Sequence, residues 1–166
     1  MKPSYWLFLF TLLPFFAVGQ TLQQQDAQQI LAEIVTHLHC EQGAVVVTDM
    51  DNHIIASADG RATKHGLKPC KKRFMEAAAE RLNRFTYADC HKDYAGLKEQ
   101  DFVAKAQTDF GPRKGVWWGH MTVYYPAEQP QYRIFVIMEK DVRKDYIYYA
   151  TALCAPVVMR IVQRLN

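Results

Sequence analysis

Met121-Thr122-Val123-Tyr124-Tyr125-Pro126-Ala127-Glu128-Gln129-Pro130-Gln131-Tyr132-Arg133-Ile134-Phe135-Val136-Ile137-Met138 decides the fold of this 166-residue chain. Residues 121–125 alternate, the Pro126–Pro130 stretch turns the chain, and Tyr132 to Met138 forms a second strand of apolar and β-branched residues. Downstream, Ala152 to Leu165 has helical spacing, with Pro156 expected in the first turn, where a missing N–H costs nothing. Strand, turn, strand and helix close the chain.

Working back, Val116 to Tyr125 is one strand and Asp101 to Phe110 another, joined by the loop Gly111-Pro112-Arg113-Lys114-Gly115. Pro69 to Phe85 is helical, its inward set being Phe74, Ala77, Ala78, the stem of Arg81, Leu82 and Phe85. Arg61 to Lys68 reads as a polar loop and Thr86 to Gln100 as irregular. His53 to Ala58 returns against Ala44-Val45-Val46-Val47-Thr48, a run apolar enough for burial on both faces. Asp26 to His39 is amphipathic, with Ala27, Ile30, Leu31, Ile34, Val35 and Leu38 on one face. The order predicts an α+β domain: a mainly antiparallel five-stranded sheet flanked by N- and C-terminal helices.

Residues 1–19 have the form of an export signal. Lys2 is followed by the apolar run Tyr5–Phe16 and by Ala17-Val18-Gly19 as a small-residue cleavage site. The expectation is a single mature domain over residues 20–166, periplasmic or secreted, with at most peripheral membrane association. The formal net charge is +3, with basic residues dispersed apart from Lys68–Arg73, which argues against a nucleic-acid groove. Four cysteines, Cys40, Cys70, Cys90 and Cys154, fall in the mature part. In an oxidising compartment that count suggests two disulfides, with Cys40–Cys154 reasonable if the first and last helices are neighbours, leaving Cys70 with Cys90.

Two stretches carry a family resemblance. Tyr124-Tyr125-Pro126-Ala127-Glu128-Gln129-Pro130-Gln131-Tyr132 and Cys154-Ala155-Pro156-Val157 resemble the end of the transpeptidase domain of class B penicillin-binding proteins. The first hairpin, Gly43-Ala44-Val45-Val46-Val47-Thr48-Asp49 with Ile54-Ile55-Ala56-Ser57-Ala58, resembles that family more loosely. Members acylate a serine in Ser-x-x-Lys, helped by Ser-x-Asn and a Lys-Thr-Gly strand. A serine hydroxyl needs a neighbouring base, so serine and lysine sit one helical turn apart. This chain has two serines, Ser4 and Ser57, and no mature Ser-x-x-Lys or Ser-x-Asn. Val103-Ala104-Lys105-Ala106-Gln107-Thr108 occupies the place of the Lys-Thr-Gly strand. Lys105 and Thr108 match there, Ala106 loses a hydroxyl, and Gln107 replaces a glycine. The resemblance implies a truncated, degenerate transpeptidase-like domain without catalysis.

Other constellations fare worse. On a helix His37 and Cys40 share a face but His39 does not, which is poor for a metal. Asp49, Asp51 and His53 read as a solvated hairpin tip rather than a cation site. Cys90, His91 and Asp93 are too close in sequence to align as nucleophile and base. No cofactor or metal is expected. The aromatic set Trp117, Trp118, Tyr124, Tyr125, Tyr146, Tyr148 and Tyr149 must send half its members inward by alternation. The rest, near His120 and Arg133, could form a stacking surface. The expected binding residues are thus Lys105, Thr108, Trp117, Trp118, His120 and Arg133. The expected function is a non-catalytic envelope module that binds peptidoglycan or wall-synthesis proteins. The alternative is a periplasmic small-ligand sensor of profilin-like architecture, with the ligand against the sheet.

Overall fold

The computed structural model describes residues 22–92, 97–143 and 145–166. The expected export signal and Asp93 lie outside them. The elements in chain order are α1 (Gln24–His37), β1 (Gln42–Asp49), β2 (Ile54–Thr63), β3 (Gly66–Lys68), α2 (Lys72–Arg81), a 3-10 turn (Tyr87–Asp89), β4 (Val103–Phe110), β5 (Val116–Tyr125), β6 (Tyr132–Asp141) and α3 (Ala150–Leu165). The sheet order is β3-β2-β1-β6-β5-β4, and every pairing is antiparallel. The expected α+β class stands, with six strands rather than five. The extra strand lies in the stretch read as a polar loop, where Arg61, Ala62 and Thr63 pair with Lys68, Leu67 and Gly66. Gly66 makes that two-residue reversal possible by taking φ +100°, a conformation other residues rarely adopt.

Strands β5 and β6 are buried along nearly their whole length. An element apolar on both faces needs a layer on each side. On one face α1 and α3 lie side by side over Val45, Val47, Met121, Val123, Ile134, Val136 and Met138. On the other, α2 covers Ala44, Trp118, Phe135 and Ile137 with Phe74, Ala77 and Ala78. Helix α2 is shorter than the periodicity suggests. Helix α3 begins two residues earlier than expected, which places Pro156 inside it, beyond the first turn. Among the described residues no helix is long and apolar enough to cross a membrane.

The neighbouring α1 and α3 meet the condition for a Cys40–Cys154 bond, yet the structure forms no disulfide: all four cysteines are free. Cys154 Sγ is directed at the Gly119 carbonyl, 3.3 Å away. The Cys70–Cys90 pairing fails for a topological reason. Cys70 Sγ reaches Gly43 O on β1 at 3.3 Å, whereas Cys90 Sγ lies 3.8 Å from Thr122 O on β5, and β6 runs between those strands. Burial pushes the Cys40 and Cys70 thiols up to about 12 and the Cys90 thiol up to about 11. Cys154 is raised as well, by burial and then by nearby Cys40.

Helix α3 packs closest at Gly119. A Cβ there would stand 2.8 Å from Ala150 Cα, at the first turn of the helix. Gly119→Ala should therefore push α3 off the sheet and destabilise the protein by about 1–3 kcal/mol, read as a lowered Tm. An unchanged Tm would mean that the helix start yields freely. Alkylation at pH 8, followed by mass spectrometry, should modify half-buried Cys70 and Cys90 before Cys40 and Cys154. The buried pair should react only on unfolding.

Candidate functional site

Strand alternation divides the six expected binding residues between the two faces. Lys105, Trp118, His120 and Arg133 lie on the α2 side. Lys105 Nζ sits 5.6 Å above the Phe85 ring, and His120 stacks on the same ring with centroids 5.6 Å apart. Arg133 donates to Asn83 Oδ1 at 2.7 Å. Thr108 is three residues from Lys105 and so points to the opposite face, where its Oγ1 accepts the Ala150 N–H at 2.9 Å. It thereby caps a free amide at the start of α3. Lys105 and Thr108 therefore never converge on one ligand.

Trp117 also lies on the α3 side. Its ring packs 4.6 Å from Phe110 and 5.2 Å from Tyr148, and Tyr148 stacks on Tyr149 at 4.5 Å. Phe110, Tyr146, Ile147 and Tyr149 are exposed, which makes an aromatic rim over the β4–β5 hairpin and the segment leading into α3. The rest of the expected aromatic surface is inside: Trp118, Tyr124 and Tyr125 are buried.

On the α2 face the register builds a polar row that the sequence did not reveal. Asp109 pairs with Trp118, Trp118 with Glu139, Glu139 with Gln42, Gln42 with Arg61, and Arg61 with Lys68. One residue from each strand thus lies on a line across all six. Most of the row is bonded. Trp118 Nε1 donates to Glu139 Oε2 at 2.7 Å, and Gln42 Nε2 donates to Glu139 Oε1 at 3.2 Å. Gln42 Oε1 accepts the Lys71 N–H at 3.1 Å. Arg81 Nε donates to Asp109 Oδ2 at 2.8 Å, and its guanidinium lies 5.0 Å from the Trp118 ring. Arg84 adds a contact to Asp109 at 3.3 Å, and Gln107 Nε2 donates to its Oδ1 at 2.6 Å.

His120, fully buried, lies beside this row with Nε2 3.2 Å from Asp109 Oδ2 and with no partner for Nδ1. Burial dominates its titration and pushes it down to about 4, against the upward pull of Asp109 and with that of Arg84 and Arg81. Burial works to raise Asp109, but hydrogen bonds from Arg81 and Gln107 hold it below the usual carboxylate range. His120 is thus a neutral core imidazole at pH 7, not a surface binding group.

The remaining candidates resolve similarly. Asp49, Asp51 and His53 bring ligand atoms within 4.8 Å of one another at the β1–β2 turn. Asp49 is occupied by the turn itself: Oδ1 accepts from Asp51 N and His53 N, each at 2.9 Å, and Oδ2 lies 3.0 Å from His53 Nδ1. His91 holds a backbone bridge to Ala104. Ser57 lies in β2, its backbone N–H and C=O both bonded to the Gln24 side chain.

No family model matches the chain, and no curated protein matches it. Among solved structures it is similar to the transpeptidase domain of FtsI4 D,D-transpeptidase from Legionella pneumophila, with a TM-score of 0.57 and 14% identity. The match covers 86% of this chain and 95% of that one, so the two are of near-equal length. At that identity the likeness shows the fold: a transpeptidase-like sheet with flanking helices.

The neutral His120 gives a pH test. The unfolded chain takes up that proton near pH 6.5 and the folded chain near 4. Stability is therefore complete above pH 6.5 and is lost as pH falls toward 4, by about 3 kcal/mol. His120→Gln should flatten the dependence of Tm on pH across that window. A variant that keeps the full slope would place the responsible proton elsewhere.

Proposed function

We propose that this chain is an exported, non-catalytic transpeptidase-like module of the cell envelope that binds wall-synthesis proteins or peptidoglycan through its aromatic rim. The carrying observation is the use to which β4 is put. In a working transpeptidase this strand presents its lysine and hydroxyl together to substrate. Here Lys105 lies on an aromatic ring, Ala106 stands where the hydroxyl beside it is expected, and Thr108 is turned to the other face on the α3 amide. A serine nucleophile also needs a base beside it. Ser57, the one serine among the described residues, lies in β2 and is followed by Ala58, Asp59 and Gly60, with no lysine one turn on.

The rim supports binding on separate grounds. Phe110 and Tyr146 are 79% and 89% exposed, and the Phe110 ring, held against Trp117, loses little conformational freedom on contact. Aromatic side chains are also the anchors most often found at the centres of protein contacts.

Two measurements test the proposal. Incubation of the protein with a fluorescent penicillin should give no saturable covalent adduct, and such an adduct would overturn the non-catalytic assignment. Crosslinked pull-down from the native cells should enrich wall synthases over an exported control. The double variant Phe110→Ser, Tyr149→Ser should reduce that enrichment at least fivefold. Equal recovery with both proteins would remove the rim from the binding surface.

A further inference from the structure

Inside the exposed Lys68 end of the polar row, one member carries a buried group left open. Asp109, Trp118, Glu139 and Gln42 are all bonded, but Arg61 Nε is buried without a hydrogen-bond partner. A buried guanidinium N–H is costly to leave unpaired. Arg61 lines a cavity of about 380 Å3 between the start of α2, the β4–β5 loop and the sheet. Lys71, Arg73 and Arg113 line the same cavity. Two carboxylates share the lining, but Glu139 is already occupied by Trp118 and Gln42, which leaves the cations in excess of Glu41.

Helix α2 adds a second, independent feature. Its N-cap, Lys71, supplies no side-chain cap, and its first turn contains Lys72 and Arg73 but no acid. Cations at the positive end of a helix are unfavourable unless an anion lies near them. The Asp59 carboxylate accepts the Cys70 N–H at 2.8 Å just ahead of the helix, but the unpaired Arg61 Nε and the cations lining the cavity call for a further anion. Arg113 is turned toward Asp141 at 3.5 Å and is not one of the proposed ligands.

We propose that this cavity binds a small phosphate-bearing ligand. The phosphate oxygens accept from the Arg61 fork and the Lys71 and Arg73 cations at the α2 N-terminus, in the manner of anions at helix starts generally. The Phe74 and Trp118 rings, which also line the cavity, accommodate the organic part. The cavity exceeds the size of a bare phosphate, so the ligand class is a phosphate monoester of a small molecule. The site is separate from the aromatic rim, and its test does not depend on that surface.

Calorimetric titration of the protein with inorganic phosphate, at ionic strength fixed with sodium chloride, should show one saturable site. Arg61→Gln should weaken it at least tenfold, and Arg73→Gln, altered at an exposed position, at least threefold. Lys64→Gln, a change outside the cavity lining, should leave it unchanged. If Arg61→Gln does not fold by circular dichroism, Arg73→Gln decides the matter. Absence of saturable heat would overturn the proposal, as would equal affinity in wild type and Arg73→Gln. Acetate binding as tightly as phosphate would overturn the phosphate assignment. A glycerol phosphate that binds more tightly than inorganic phosphate would support the monoester class.

Discussion

The pairing of β1 with β6 is the constraint on which everything else rests. It sets Val45 against Val136 and Gln42 against Glu139, the latter pair 97 positions apart in sequence. Once formed, it places two largely buried strands in the middle of the sheet, where apolar residues on both faces exclude any single-layer arrangement. It also brings α1 and α3 onto one face, because each is joined directly to one partner of the central pair. The close approach this demands is visible at Gly43, where a Cβ would stand 2.5 Å from Met138 Sδ and 3.1 Å from Val35. Lys140, wholly buried at the end of β6, donates to the Leu38 carbonyl and pairs with Asp145 at 2.6 Å. It thus ties the end of α1 to the central strands, as suits a cation at a helix C-terminus.

The α2 face shows how register is held when apolar burial alone would tolerate a slip. A shift by one residue reverses which side chains face inward. In the row from Asp109 to Gln42, such a shift would send a carboxylate and the Trp118 N–H to the wrong face and leave Arg81 without its acid. Breaking one partner of a buried pair costs about 3–5 kcal/mol, far more than one misplaced methyl group. The row therefore acts as a key for strand alignment. Its satisfied members are structural, and toward its Lys68 end the Arg61 Nε is left open.

Much of this was legible in the sequence because the signals were periodic. Alternation and turn residues located β5, and the helical stripes located α1 and the inward set of α2, down to Arg81. The stretch from Arg61 to Lys68 misled because a three-residue strand is too short to show alternation, and its pairing partner supplies the order. The site was less legible for a different reason. Row members such as Asp109 and Glu139 are single polar residues in otherwise apolar strands. Their meaning depends on which residue lies opposite, and register is a tertiary property. Lys105 and Thr108 matched a motif by identity, but an odd spacing on a strand separates faces, a rule that the sequence already contained. The cysteine pairing failed because an even count says nothing about which strands the thiols approach.

The titration shifts bear on where this fold can still do chemistry. A general base works best with a pKa near the operating pH, and a thiol nucleophile needs its pKa lowered. Here the shifts run the other way. All four thiols are raised, His120 is driven down to about 4, and Asp109 is locked in ionised form by Arg81 and Gln107. Each of these groups is set by burial or by a committed partner, so each is spent on cohesion. What faces outward is of another kind: rings clustered on one side of the sheet, and cations converging at the end of the polar row on the other. Under the proposed function both arrangements would hold a molecule without transforming it. They lie on opposite faces of the sheet, so a ligand in the basic cavity and a partner on the aromatic rim can be bound together without competing for the same atoms.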